Sequence, residues 1–245
     1  TIVGNADGGG PVHLGTQRAA LEQGGIGVNV ALLVGHGSVR GTVMGNDDRA
    51  PSAGELARMQ ALVRKAVEDG AFGLSSGLFY APGSFAALDE VVALARTAGG
   101  VYSSHIRDEA NYSIGVIAAV QEVIDVADRA EVRGIVTHAK ALGPDNWGLG
   151  AAIATRIDLA RARGVDVLAD QYPYVASSTS LTAALVPRWA QAGGTHLVLH
   201  LDEGPAGFPR HLPDVAEPER DRDAGHDRVA VLVDGAHRDL GVGGA

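Results

Sequence analysis

Short apolar runs alternate with longer amphipathic stretches along the first 170 residues. The apolar runs, predicted as strands, begin near residues 1, 26, 71, 101, 134 and 165. The predicted helices between them lie at 14–23, after a cap at Ser52, and at 85–98, 112–130 and 149–163. Helices that join successive strands are typical of parallel β-α-β units, because parallel strands need a long crossover connection. The pattern therefore predicts an α/β fold.

The second predicted helix has a sequence signal at its start. Ser52 and Glu55 have the spacing of a capping box, in which each side chain satisfies a free backbone N–H of the first turn. Apolar residues follow at helical spacing, namely Leu56, Met59, Leu62, Val63 and Val67. We therefore predict that a helix begins directly after Ser52.

Polar residues follow almost every predicted strand. They are Asp7, His36, Ser75, Ser76, His105, His138 and Asp170. In a barrel of β-α units, the side chains after the carboxyl ends of the strands meet at one mouth. An open doubly wound sheet is the alternative, and it would bind its ligand at one switch point without polar residues after every strand. The polar pattern favours the barrel.

The C-terminal part of the chain has a different character. Residues 195–226 are rich in Pro, Asp, Arg and His and show little periodicity, whereas 228–233 (RVAVLV) has the pattern of one more strand. We therefore predict a barrel domain over 1–190 and an irregular tail over 191–245 with one possible strand at 228–233.

Composition and charge exclude several classes of function. The chain has no cysteine, which excludes disulfides, a thiolate nucleophile and thiolate metal ligands. Its 20 basic and 29 acidic residues give a net charge of −9, so we expect no nucleic-acid partner. The apolar runs are too short to span a bilayer and no secretory signal is visible, so we expect a cytoplasmic protein with no membrane partner.

Two histidines occupy equivalent places in successive β-α units. His105 and His138 each follow a short apolar strand, which predicts neighbouring side chains at the mouth. Zinc prefers nitrogen and carboxylate ligands where no thiolate is available, and Asp7 would add a carboxylate. The alternatives are hydrogen-bonded loop histidines and an ordinary Asp-Gly turn.

Cationic side chains lie two residues beyond these histidines. Arg107 and Lys140 are suited to binding the carboxylate of a substrate. The alternative for either residue is a surface salt bridge, for example to Asp108 or Glu109. The phenol of Tyr80 follows another strand, where it would either bind substrate or pack.

Several long motifs resemble one family of enzymes. The segments GVNVALLVGHGSVRGTVMG, EDGAFGLSSGLFYAPGSF, GGVYSSHIRDEANY, IVTHAKALGPDNWG and DVLADQYPYVASST occur in this order within residues 1–190. They closely resemble the N-acyl-D-amino-acid deacylases, the D-aminoacylase branch of the amidohydrolase superfamily. The resemblance implies a metal-dependent TIM barrel that hydrolyses the amide of an N-acyl-D-amino acid, a small-molecule substrate, with one or two Zn²⁺ ions as cofactor.

The resemblance also implies roles for individual residues. His105 and His138 match the histidine ligands after the fifth and sixth strands. Asp7 lies nearest to a position where the best-known members have a metal-bridging cysteine. Arg107 and Lys140 match positions implicated in binding the substrate carboxylate. Substrate-pocket segments of the family match Tyr80 and the 172–179 stretch, which includes Tyr172 and Ser177.

Two features of the family have no match in this chain. The H-x-H pair of the first strand is absent, and the aspartate that acts as general acid/base after the eighth strand has no counterpart. We therefore predict an incomplete TIM barrel with about strands two to seven of eight, an unassigned catalytic residue, weak zinc binding and little activity from this chain alone.

Two other functions remain as alternatives. One is a non-catalytic barrel remnant that binds a carboxylate ligand. The other is a cyclic-amide hydrolase of the hydantoinase or dihydroorotase type, whose carboxylated lysine after the fourth strand has no counterpart in GLSSG at 73–77.

Overall fold

The computed structural model describes residues 1–193 and the backbone of residues 228–232. These residues divide into two units, 1–171 with 187–193, and 172–186 with 228–232. The strands of the first unit are β1 (Ile2–Gly4), β2 (Val30–Leu32), β3 (Val34–Gly35), β4 (Gly73–Gly77), β5 (Val101–His105), β6 (Arg133–Val136) and β7 (Val167–Ala169). Its α-helices are α1 (Leu14–Gly24), α2 (His36–Met44), α3 (Ala53–Glu68), α4 (Leu88–Ala98), α5 (Val116–Ala130) and α6 (Gly150–Ala162).

The strands of the first unit are parallel and follow one another in sequence order. β1 pairs with β2, and β3 to β7 form a five-stranded sheet in which each strand lies beside its predecessor. The predicted strand from residue 26 to 34 is therefore two short strands, β2 and β3, separated by Leu33. A doubly wound sheet needs a reversal of strand order, which the described strands lack, so that alternative is wrong. The predicted α/β fold with a parallel sheet is confirmed.

The described sheet is not a closed barrel. Among the described strands β1 pairs with β2 alone and β7 with β6 alone, so each has an edge without a described neighbour. The incomplete TIM barrel stays a prediction at this point.

A hydrophobic layer lies between the sheet and the helices. Fully buried residues on the strands include Val34, Leu74, Tyr102, Val136 and Val167, and those on α3, α4 and α5 include Val63, Val91, Leu94, Val120 and Val123. Each such aliphatic side chain stabilises the fold by about 1.5–3 kcal/mol. The sheet is thereby held rigid where its strands end.

The helix boundaries differ from the predicted ones in instructive places. The capping box is confirmed, because the Glu55 N–H donates to Ser52 Oγ at 3.3 Å and the Ser52 N–H donates to Glu55 Oε2 at 2.8 Å. The helix predicted from residue 112 begins only at Val116. Asp108 holds the preceding loop, since its carboxylate accepts hydrogen bonds from the backbone N–H groups of Ala110, Ser113 and Gly115. Helix α2 (His36–Met44) was not predicted from the sequence.

A buried ion cluster joins α2 to α4. Glu90 Oε1 lies 2.9 Å from His36 Nε2, and Arg40 Nη1 donates to Glu90 Oε2. Arg40 also donates to the carbonyls of Asp47 and Arg49, at 3.0 and 2.7 Å. Burial opposes the charged form of Glu90, but the hydrogen bonds from His36 and Arg40 outweigh it and lower the pKa of this carboxyl. His36 therefore serves the packing of two helices.

The loop after β1 is pressed against the backbones of β3 and β4. An added Cβ on Gly77 would lie 2.3 Å from the Asp7 carbonyl oxygen, and one on Gly35 would lie 2.5 Å from the Gly8 oxygen. Ser75 Oγ accepts a hydrogen bond from the Gly8 N–H at 3.0 Å and donates to the Asn5 carbonyl. The glycines are thus explained by close backbone contact, which fixes the loop that carries Asp7.

The second unit is small. Its strand β8 (Ala176–Ser180) pairs antiparallel with β9 (Arg228–Leu232), and β8 leads into the short helix α7 (Leu181–Leu185). Residues 187–193 group with the first unit, and the domain boundary predicted at residue 190 stays a prediction. The rest of the predicted tail lies outside the described residues. No helix in the described part of the chain is both long and apolar enough to cross a bilayer.

Replacing Glu90 tests the buried ion cluster. Glu90→Gln leaves Arg40 buried beside a neutral amide, and removing one partner of a buried ion pair costs about 3–5 kcal/mol. We expect a loss of that order in the free energy of unfolding, measured by urea denaturation at pH 7. As a control, Glu22→Gln removes one partner of an exposed pair with Arg18 and should change the free energy of unfolding very little.

The same variant has an expected pH dependence. The folded-state pKa of Glu90 lies below its unfolded value, so its contribution is complete above the unfolded pKa and is lost as the pH falls toward the folded one. The difference between the wild type and Glu90→Gln should therefore shrink in acid. A difference that stays constant from pH 7 to pH 3 would contradict this account.

Replacing Gly77 tests the position of the loop that carries Asp7. Gly77→Ala places a methyl group against the Asp7 carbonyl, and such overpacking costs about 1–3 kcal/mol. The matched control is Gly54→Ala, because an added Cβ at this helical position meets no atom within 4 Å and alanine favours a helix. Urea denaturation should show a less stable Gly77→Ala chain and an unchanged or more stable Gly54→Ala chain.

Candidate metal centre

Three side chains from three separate strands meet at one edge of the sheet. Asp7 follows β1, His105 ends β5 and His138 lies just after β6. One ligand atom from each can be chosen so that all three lie within 4.8 Å of one another. His138 Nε2 is 3.5 Å from Asp7 Oδ1, and the two imidazole centroids are 4.5 Å apart. The structure thus brings together the three residues predicted as metal ligands.

Hydroxyl groups on β5 and after β6 position the Asp7 loop over the strand ends. Ser103 Oγ donates to the carbonyl of Ala6 at 3.2 Å and is 2.6 Å from Thr137 Oγ1. Ser103 lies two residues before His105, and Thr137 lies one residue before His138. Ser103 therefore ties β5 directly to the loop that carries the carboxylate, and Thr137, the residue after β6, contacts Ser103.

His138 has an uncommon backbone conformation. Its φ is +42°, a left-handed value that non-glycine residues rarely adopt. Asp170, which follows β7, accepts a hydrogen bond from the His138 N–H through its side chain and another from the Ala139 N–H through its carbonyl, at 2.5 and 2.8 Å. The neighbouring strand end thus holds the strained backbone, and such strain is concentrated at functional sites.

His105 is held in the form that binds metals. Burial lowers its pKa to about 4, so the ring is neutral at pH 7. Its Nε2 is buried and has no hydrogen-bond partner among the described residues. A buried polar atom without a partner is costly, and neutral imidazole nitrogen is a preferred zinc ligand. The residues present therefore fit a metal ion.

His138 and Asp7 form an ion pair of opposite charges. Burial opposes the charged ring of His138, but its contacts with Asp7 and Glu109 raise its pKa to about 9. The hydrogen bond to His138 lowers the pKa of Asp7 against the effect of burial. Because a ligating nitrogen must be deprotonated, His138 would have to lose the proton on that one nitrogen in order to hold an ion.

Glu109 is a central residue of the site, and the sequence indicated it only as the alternative salt-bridge partner of Arg107 or Lys140, the second of which the structure has. It is buried, and its Oε1 lies 3.1 Å from His138 Nδ1 and 3.8 Å from His105 Nε2. The same oxygen accepts a hydrogen bond from Lys140 Nζ. Burial raises the pKa of Glu109, but the contacts with His138, His105 and Lys140 outweigh this effect, so the pKa lies below its usual value. The spacing of four residues between His105 and Glu109 was the sequence signal that could have indicated this contact.

The two predicted carboxylate-binding cations have different surroundings. Arg107 Nε donates to both carboxylate oxygens of Glu122, at 2.8 and 3.0 Å, and its Nη atoms donate to the carbonyls of Ser84 and Ala86. This geometry favours the salt-bridge alternative, with Glu122 in place of Asp108 or Glu109. Lys140 contacts Glu109 and lies 2.9 Å from His138 Nδ1, so it belongs to the centre.

The residues predicted for the substrate pocket lie in both units, Tyr80 in the first and Tyr172 and Ser177 in the second. The ring of Tyr80 is 4.7 Å from that of His105, and the ring of Phe79 is 5.7 Å from it. Tyr172 and Ser177 belong to the second unit, where Ser177 lies on β8. Their roles in substrate binding stay predictions.

Comparisons with known proteins point in one direction. No protein-family profile matches the chain. An N-acyl-D-glutamate deacylase of Alcaligenes xylosoxydans xylosoxydans is 45% identical over 157 residues, which are 63% of this chain and 32% of that protein. The chain spans about a third of the length of the curated relatives it matches.

Solved structures give the same result. A crystal structure of N-acyl-D-glutamate deacylase from Bordetella bronchiseptica, complexed with zinc and a phosphonate inhibitor, is 43% identical. It has a TM-score of 0.63, with 66% of this chain and 34% of that chain covered. A structure of D-aminoacylase, described with a binuclear metal centre, is 32% identical and has a TM-score of 0.64. The match covers 74% of this chain and 40% of the D-aminoacylase chain. Over the matched residues, this chain is similar to the N-acyl-D-amino-acid deacylases.

Proposed function

We propose that this chain carries part of the zinc centre of an amidohydrolase that removes the acyl group of N-acyl-D-amino acids. The observation that supports this most directly is the meeting of Asp7, His105 and His138, with a buried and unpaired Nε2 on His105. We propose further that the parallel sheet is part of an incomplete TIM barrel, whose strand ends face the mouth.

The donor set suits zinc. Two imidazoles and one carboxylate are the ligands that zinc takes in hydrolytic sites, where a fourth position stays open. When bound there, zinc supplies Lewis-acid polarisation of the amide carbonyl and activation of water. Three ligand residues are enough to hold one ion, and a second ion would need further ligands.

The remaining residues bind and orient the substrate in this proposal. Lys140 is a cation within the centre and is placed to attract the carboxylate of the substrate. Phe79 and Tyr80 form an aromatic wall beside His105 against which an acyl or side-chain group can pack. Tyr172 and Ser177 remain proposed pocket residues on the strength of the family resemblance. Arg107 is left to its ion pair with Glu122.

The proposed reaction is hydrolysis of a linear amide to a carboxylate and a free D-amino acid. The relatives that match are deacylases of N-acyl-D-glutamate and N-acyl-D-aspartate, together with D-aminoacylase. We assign no general acid/base among the described residues, and such a group contributes about 10²–10⁴-fold to the rate. We therefore expect slow turnover from this chain by itself. The cyclic-amide alternative finds no support, because β4 supplies serines and no lysine.

Zinc loading tests the centre. The chain, stripped with a chelator and dialysed to equilibrium against excess Zn²⁺, should bind one Zn²⁺ per chain, measured by elemental analysis of the two compartments. His138→Ala should lose this ion because it removes a ligand. The matched control is His13→Ala, at the start of α1, which should keep one ion per chain. Equal zinc contents in the wild type and in His138→Ala would refute the proposed centre.

Ligand binding and turnover separate the proposed hydrolase from a non-catalytic remnant. The zinc-loaded chain should bind a phosphonate analogue of N-acetyl-D-glutamate, measured by calorimetry, and the metal-free chain should not. Release of D-glutamate from N-acetyl-D-glutamate should be slow but zinc-dependent. Binding of the phosphonate without any zinc-dependent release would support the carboxylate-binding alternative instead.

A further inference from the structure

We propose that Glu109 is the positioning residue of the metal centre, whose carboxylate accepts the Nδ1–H of His138 and so directs Nε2 of that ring toward the ion. This inference rests on the proposed zinc centre. It assigns Glu109 a place outside the ligand set, with Lys140 as its counter-charge.

The two nitrogens of His138 face two different carboxylates. Nε2 lies 3.5 Å from Oδ1 of Asp7, the carboxylate of the proposed ligand set. Nδ1 lies 3.1 Å from Glu109 Oε1. A neutral imidazole that binds a metal through one nitrogen carries its proton on the other. Glu109 is therefore in place to accept that proton's hydrogen bond and to fix the ring orientation.

Lys140 competes with Glu109 for the same nitrogen. Its ammonium lies 2.9 Å from His138 Nδ1, where it can donate only to an unprotonated nitrogen. With Nε2 bound to an ion, His138 would carry its remaining proton on Nδ1. Nδ1 could then no longer accept a hydrogen bond from Lys140, but it could donate one to Glu109. Lys140 then keeps its contacts with Glu109 and with the His138 carbonyl, which it meets at 3.0 Å.

The surroundings of Glu109 distinguish this role from direct ligation. Its Oε1 accepts from Lys140 and from the His138 side chain, so this oxygen already has two donors when the centre is loaded. The same oxygen is 3.8 Å from His105 Nε2, which is beyond hydrogen-bond distance. A buried carboxylate is costly unless it is paired, and Lys140 provides the pairing. Carboxylates that hold a ligating histidine in this way typically improve metal affinity by about 10–100-fold.

Glu109→Gln tests the inference in the full chain. We expect Zn²⁺ affinity to fall by about 10–100-fold, measured by competition with a chromophoric chelator. The Co²⁺-loaded variant should keep one ion per chain and the visible absorption of the wild type, because the ligand set is unchanged. Glu122→Gln is the matched control, since Glu122 is also a partly buried carboxylate paired with a cation, but its hydrogen bonds are to Arg107 and not to a residue of the proposed ligand set. Its Zn²⁺ affinity should stay within about twofold of the wild type.

Each other result counts against the inference. A Glu109→Gln chain with wild-type Zn²⁺ affinity overturns it and leaves the zinc centre intact. A Co²⁺ spectrum that reports a lost ligand in this variant also overturns it, since Glu109 would then bind the ion directly. If Glu109→Gln does not fold, Glu109→Asp, which withdraws the carboxylate by one methylene, must show the same loss of affinity. A wild-type chain that binds neither ion refutes the proposed function itself.

Discussion

The parallel pairing of β4, β5 and β6 is the constraint on which the centre depends. It aligns Ser104 with Val136, so the two histidines that follow these strands emerge on the same edge of the sheet. The buried layer beneath them leaves the strands no freedom to slide, because a shift by one residue would turn every side chain to the opposite face. The hydroxyl of Ser103 then attaches the loop of Asp7 to β5, and Thr137 supports that hydroxyl from the end of β6. The geometry of the centre is thus a consequence of register.

Much of this arrangement could be predicted from the sequence because it depends on local patterns. The alternation of strands and helices gave the parallel sheet, and the positions of His105 and His138 after equivalent strands gave their proximity. The start of α3 followed from the spacing of Ser52 and Glu55. By contrast, α2 begins immediately at the end of β3 without a capping residue, so no local signal marked it.

Other features depend on contacts that spacing does not determine. Arg107 and Glu109 lie two residues apart on one loop, yet they point to different partners. Arg107 reaches Glu122 on α5, whereas Glu109 turns toward the two histidines. Tertiary structure determines that Arg107 pairs with a helix residue, whereas Lys140 lies at the proposed metal centre. For the same reason, the glycines at 35 and 77 gave no clue to their role until the loop packed against them was visible.

The ligand atoms come from segments far apart in the sequence, with Asp7 near one end of the sheet and the histidines roughly a hundred residues later. An ion shared by these segments acts as a reversible cross-link across a long loop of the unfolded chain. Because the unfolded chain has no preformed site of this kind, occupancy would stabilise the native state by mass action. The melting temperature would then rise with free zinc concentration, and assembly of β1 with β5 and β6 would be coupled to the supply of metal.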